Sequence, residues 1–159
     1  MSPTPLKLVL ERRAASVWTR VHPVFALAQL FVFLVSVSLL AAYLLHAVPY
    51  AAVHVSVLVK IGLMIGAVVT GALWEHDVYG RWWFAQEFII EDTMTANVFA
   101  LHVAYLVVAY AWPANGTATL SILGVAYGVY ALNVAQYVVQ HAGVRKRQAE
   151  IEADDEMAA

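Results

Sequence analysis

Residues 23–45 read PVFALAQLFVFLVSVSLLAAYLL, a run without one charged side chain. Only Gln29, Ser36, Ser38 and Tyr43 interrupt its apolar character. About 20 helical residues, each rising 1.5 Å, cross the ~30 Å of hydrocarbon in a bilayer, so this block is long enough to span one. A secretory leader would also place basic residues ahead of an apolar core, as Lys7, Arg12, Arg13 and Arg20 stand here. A leader's core is shorter and ends at a small-residue cleavage site, whereas this run continues without one. The block reads as a retained membrane helix.

Three further blocks follow the same pattern. The second covers about 52–74, after a turn at Pro49 and Tyr50; Lys60 interrupts it, and Gly62, Gly66 and Gly71 relax it. A polar, aromatic stretch, 75–86, separates it from the third block, about 87–112. Pro113-Ala114-Asn115-Gly116 is a turn signal, and the fourth block covers about 117–140. The expected fold is all-α, an integral membrane four-helix bundle. It divides into an N-terminal segment 1–21, a four-span domain 22–142 and a charged tail 143–159 that frays from Glu150. Composition agrees. Of 159 residues, 62% are apolar and 13% charged, with mean hydropathy +0.71, against roughly 45–50% and ~25% in soluble domains. A net charge of −2 with few basic stretches gives no nucleic-acid surface. The lack of cysteine excludes disulfides, iron–sulfur clusters, thiolate zinc sites and c-type haem attachment.

Orientation follows from the basic residues. Four precede the first span, Arg81 lies between the second and third, and Arg145, Lys146 and Arg147 follow the fourth. The other two loops carry none, so the positive-inside rule places both termini and the 75–86 stretch in the cytoplasm.

Ionisable groups within a membrane are expensive, about 2.5–3.5 kcal/mol at a helix centre on insertion scales, and each needs a reason. Counted from the cytoplasmic side, Glu91 and Asp92 lie ~6–8 Å down the third span. Asn133 and Gln136, Gln29 and Thr70 fall at similar depth, with Glu75 and His76 at the mouth. Lys60 and His102 form a deeper layer at ~22 Å. Glu91, Thr95, Val98, His102 and Tyr105 share one helical face. Plainer readings stand beside these. Gln29 and Thr70 are interhelical hydrogen-bond glue by default, Lys60 a snorkelling or paired cation, and Trp74, Tyr79, Trp82, Trp83 and Phe84 an interfacial belt. His22 and His141 read as solvated helix-end residues, and His46 and His54 belong to the opposite side. Two adjacent carboxyls below the surface have less structural use. A buried carboxyl can serve as general acid, and a second carboxylate or histidine can orient or deprotonate water. Glu91, Asp92, Glu75 and His76 therefore suit proton-transfer chemistry, such as hydration or isomerisation, on a hydrophobic substrate. No phosphate-binding loop or nucleophile motif is present.

The sequence resembles the 3-vinyl (in older usage 2-vinyl) bacteriochlorophyllide hydratases over roughly 12–140. Trp18-Thr19-Arg20-Val21, the run from Gln29 through Ser36, Thr70-Gly71-Ala72-Leu73-Trp74-Glu75, Tyr79-Gly80-Arg81, Phe84-Ala85, Glu91-Asp92, Ala100-Leu101-His102-Val103-Ala104-Tyr105-Leu106 and Asn133-Val134-Ala135-Gln136 carry the resemblance. It departs from the family at His76, where Lys is common, and around Trp82-Trp83 and Gln86-Glu87. The resemblance implies a hydro-lyase of bacteriochlorophyll biosynthesis in the bacterial inner membrane, cytoplasmic or intracytoplasmic. That enzyme adds water to the C3-vinyl group of a (bacterio)chlorophyllide to leave a 1-hydroxyethyl group.

The residues offer a mechanism for that reaction. Glu91 or Asp92 protonates the terminal vinyl carbon, and water held by Glu75, Asn133 or Gln136 adds beside the macrocycle. His102 is a candidate axial ligand to the substrate's magnesium. Arg81 would meet the propionate, Trp82 and Trp83 would stack on the ring, and Lys60 and Tyr105 would complete the lining. Hydration leaves the electron count unchanged, so no resident cofactor is expected. The expected partners are the pigment, the bilayer and, among proteins, a second copy or other pigment-biosynthesis enzymes. The competing readings are a b-type cytochrome, for which His102 lacks a histidine mate at its depth, and a non-catalytic pigment-binding scaffold. An ion carrier would use the same carboxyls but calls for a broken helix.

Overall fold

In hydrocarbon, a spanning backbone satisfies its polar groups only as a helix or a closed barrel. The computed structural model describes residues 5–86 and 88–158, with side chains for 8–86 and 88–139. The described residues form five helices and no strand: α1 (Pro5–Ala15), α2 (Trp18–Leu44), α3 (Tyr50–Tyr79), α4 (Ile89–Ala111) and α5 (Gly116–Ala158). Four helical segments, Trp18–Leu44, Tyr50–Tyr79, Ile89–Ala111 and Gly116–Val139, are long and apolar enough to cross a membrane. The chain divides into a unit ending at Asp92 and a second beginning at Thr93.

In the first unit α2 and α3 pack antiparallel along a polar seam. His22 Nδ1 lies 3.2 Å from Thr70 Oγ1, Gln29 Nε2 donates to the Leu63 carbonyl at 3.4 Å, and Ser36 and Ser56 share a hydrogen bond of 2.6 Å. The contacts recur every seventh residue on both helices, ascending one and descending the other. That period keeps a seam between two helices in a left-handed supercoil. The opposite face of α2 presents Val24, Leu27, Phe31 and Leu34, all well exposed, while Gln29 and Ser36 are buried. A helix with polar residues inside and large apolar residues outside is inverted for water and suited to lipid. Gln29 and Thr70 therefore act as helix glue, as the plainer reading had it. His22 is a correction: α2 starts at Trp18, so His22 sits a turn inside the helix, half-buried and bonded, rather than solvated.

Gly66 lies against the Phe25 ring, where an added Cβ would collide with the ring edge. Gly66→Val is expected to destabilise the unit by about 1–3 kcal/mol. Thermal unfolding in detergent should show the loss, and Phe25→Ala in the same chain should recover part of it.

Basic residues of α1 dock on the end of α3. Arg12 donates to the Val78 carbonyl at 3.3 Å, Ser16 to Asp77 at 2.8 Å, and the Trp74 indole to Thr19 at 3.0 Å. Cations belong at a helix C-terminus, where the carbonyls carry partial negative charge. The second unit buries Val98, His102 and Tyr105 of α4 and Leu123, Ala126 and Tyr127 of α5. Asn115 starts α5, its side-chain oxygen accepting from the Ala118 amide at 3.1 Å, as the turn signal led one to expect.

Three boundaries differ from expectation. The second span continues past 74 to Tyr79, because nothing in Glu75-His76-Asp77-Val78-Tyr79 breaks a helix and Gly80 supplies the stop. The N-terminal segment contains α1. The tail is helical to Ala158, not frayed from Glu150, since Ala, Glu, Lys, Arg and Gln are strong helix formers.

Candidate active site

Gly80 ends α3 in the left-handed conformation (φ 73°), and its amide donates to the His76 carbonyl at 2.9 Å. Only glycine adopts that cap without steric cost. The chain then turns through 81–86, and Phe88 leads into α4, whose first turn carries Glu91 and Asp92. This path brings Asp92 to Glu75. The Glu75 side chain comes within hydrogen-bonding reach of Asp92. Ionised carboxylates only accept hydrogen bonds, so a bond between two of them requires one proton on the pair. Two consecutive backbone amides of the turn each hold one carboxyl oxygen. The Phe84 N–H donates to Asp92 Oδ2 at 2.8 Å, and the Ala85 N–H to Glu75 Oε2 at 3.1 Å. Glu75 and Ala85 are buried, and Asp92 is half-buried. Glu91 is half-buried and makes no hydrogen bond or ion pair among the described residues. The sequence groups Glu91 with Asp92; helix geometry turns successive residues ~100° apart, and it is Asp92 that meets Glu75.

The residues flanking this turn form an aromatic cluster. Trp74, Tyr79 and Phe88 meet edge to face, with centroids 5.4–5.9 Å apart. The Arg13 guanidinium lies 5.2 Å from the Trp74 ring centre and donates to the Tyr79 hydroxyl at 2.8 Å. Trp74 and Tyr79, read as interfacial belt residues, are also packed against each other and Phe88. Trp82 stacks on His76 at 4.2 Å, and Trp82, Trp83 and Phe84 each remain about half exposed. Arg81 is exposed and lines, with Tyr79, Ala85 and Gln86, a recess of about 130 Å³. That space holds a few waters or a carboxylate side arm, not a macrocycle.

Lys60 is fully buried, its Nζ 5.9 Å from the Phe33 ring centre. Along α3 it stands ~22 Å from Glu75, so it is no part of the carboxyl pair. In the second unit His102 and Tyr105 are fully buried. His102 Nδ1 is 2.8 Å from the Val98 carbonyl, and the ring lies 6.1 Å from that of Tyr127. A carbonyl only accepts, so Nδ1 carries the proton and Nε2 is the basic nitrogen. Asn133 and Gln136 are half-buried on α5. An open groove of about 540 Å³ is lined by Asn97, Ala100, Leu101 and Ala104 of α4 and Val129 of α5, none of which the sequence marks as a site residue. Its volume is in the range of small-molecule sites, and the small side chains at 100 and 104, one turn apart, were the available sign. Among the described residues no group of three or more His, Asp or Glu could hold a metal ion. His141 lies outside the described side chains.

The chain was compared with known proteins. The family model described as 2-vinyl bacteriochlorophyllide hydratase (BCHF) matches residues 7–142. A 2-vinyl bacteriochlorophyllide hydratase from Cereibacter sphaeroides is 38% identical over 127 residues, covering 80% of this chain and 79% of the relative. One from Rhodobacter capsulatus is 35% identical over 145 residues, covering 91% and 81%. No solved structure matches the chain.

Proposed function

Because the chain belongs to the 2-vinyl bacteriochlorophyllide hydratase family, we propose that it adds water to the ring-attached vinyl group of a bacteriochlorophyllide, with Glu75 and Asp92 as the proton-handling pair. The observation that carries the mechanism is the seating of both carboxyls on consecutive backbone amides, those of Phe84 and Ala85, within reach of each other. A pair with one proton holds an acid and a base together, which is what hydration consumes in sequence. The acid gives its proton to the terminal CH₂, which becomes CH₃, and the adjacent carbon becomes a cation delocalised into the macrocycle. Water bonds to that carbon and loses a proton to the vacated carboxylate. The product is the 1-hydroxyethyl pigment, and the pair regains its starting charge. No electron is gained or lost, so the reaction calls for no redox group, and the magnesium travels with the substrate. Arg81, Trp82, Asn133, Gln136, Tyr105 and Lys60 remain candidate substrate contacts, and Glu91 is the alternative acid, to be chosen only if variants of the pair stay active. The test is mass spectrometry of pigment after incubating membranes containing the protein with 3-vinyl bacteriochlorophyllide a. A gain of one water is expected. Unchanged pigment with folded protein would move the reading to a pigment-binding scaffold.

We further propose that the chain lies in the bacterial inner membrane with both ends in the cytoplasm. Supporting this, Arg12, Arg13 and Arg20 lie at the end of the antiparallel α2–α3 pair that also bears Arg81, whereas residues 45–49 at the other end carry no Lys or Arg. The chain has no cysteine, so single introduced thiols report alone. Ala47→Cys should react with a membrane-impermeant maleimide in intact cells, and Trp83→Cys only after lysis; the reverse pattern would invert the topology.

A further inference from the structure

Phe84 has a backbone φ of 58°, in the left-handed region that side chains other than glycine seldom occupy. The other non-glycine residue there among the described residues, His46 at φ 58°, has an ordinary reason. It follows the end of α2, and the Ala47 amide reaches back to the Ala42 carbonyl, a common helix-ending motif. Phe84 closes no helix; it lies between Gly80 and Ile89. Its ring does not explain the conformation either, being about half exposed. What the conformation accomplishes is on the backbone. It turns the amides of Phe84 and Ala85 onto Asp92 Oδ2 and Glu75 Oε2. Backbone strain persists where the surroundings over-determine it, and functional sites are where it clusters.

We propose that Phe84 is a positioning residue, its left-handed backbone acting with the Ala85 amide as a clamp that orients the Glu75 and Asp92 carboxyls toward each other. The clamp rests on the hydration reading for its purpose, not for its geometry. Each carboxyl has one oxygen tied to the turn. Carboxyls free to rotate would separate to relieve like charge and lose the shared proton. The half-exposed ring takes no part in the clamp.

The experiment compares Phe84→Gly, Phe84→Asn and Phe84→Val. Glycine and asparagine accept a left-handed backbone, and a β-branched residue resists it. With 3-vinyl bacteriochlorophyllide a, Gly and Asn should keep kcat within ~3-fold, while Val should lower it ~30-fold or more with KM nearly unchanged, as expected when a proton donor is misplaced. The pH profile of kcat should shift in the Val variant alone. An independent readout is the infrared carbonyl stretch of a protonated carboxyl, identified by its loss in Glu75→Gln. It should persist in the Gly variant and move or vanish in Val, with helix content by circular dichroism unchanged. If Gly falls as far as Val, the ring matters and the clamp is wrong. A Val variant with normal kcat and an unmoved infrared band overturns it equally. Should wild-type protein add no water, the hydratase reading fails, and the infrared comparison still decides the clamp.

Discussion

Glu75→Gln and Asp92→Asn are each expected to lower pigment hydration by ~100-fold or more, whereas Glu91→Gln should change it by less than ~3-fold. The amide replacements keep a carbonyl oxygen for the Ala85 and Phe84 amides, so the turn stays anchored. What they remove is the titrating group on which the proposed acid–base pair depends. Because the pair works as a unit, the double variant should be little worse than either single one. Water gain by mass spectrometry, with expression and helix content held constant, measures all four. Full activity in either member of the pair would sink the assignment. A collapse in Glu91→Gln with the pair variants active would transfer the role of acid to Glu91.

The membrane character was legible because it depends on composition summed over long windows. Residues 23–45 need no partner to declare themselves, and charge placement supplied an orientation without three-dimensional information. Glu75, Glu91 and Asp92 also stood out, since a carboxyl among apolar residues is costly wherever it lies. Their pairing was not legible. It depends on where α3 stops, and the sequence reading ended that span at 74, leaving Glu75 at a loop mouth. Gly80, five residues beyond Glu75, is the stop, and α3 carried to Tyr79 with a tight turn into α4 makes Glu75 and Asp92 neighbours. The clamp is less legible still, because a backbone amide leaves no mark in a sequence and Phe84 reads as one aromatic among several. Arg13 shows the same limit: as a basic residue it counted only toward orientation, while in the structure it joins Trp74 to Tyr79.

Removing the buried imidazole in His102→Ala should cost about 2–4 kcal/mol of stability, as emptying a fully buried site does. Thermal unfolding in detergent measures that cost, but it cannot separate a packing residue from a ligand. The separation comes from crossing the variant with the substrate's metal. The Val98 carbonyl fixes the proton on Nδ1 and leaves Nε2 as the nitrogen able to bind magnesium. If it does so, demetallated pigment should bind wild-type protein ~10-fold or more weakly than the magnesium form, and His102→Ala should bind both alike. Titration of each pigment against each protein closes the cycle. Equal loss on demetallation in wild type and variant would assign His102 to packing against Tyr127, and the magnesium ligand would have to be sought elsewhere on the chain.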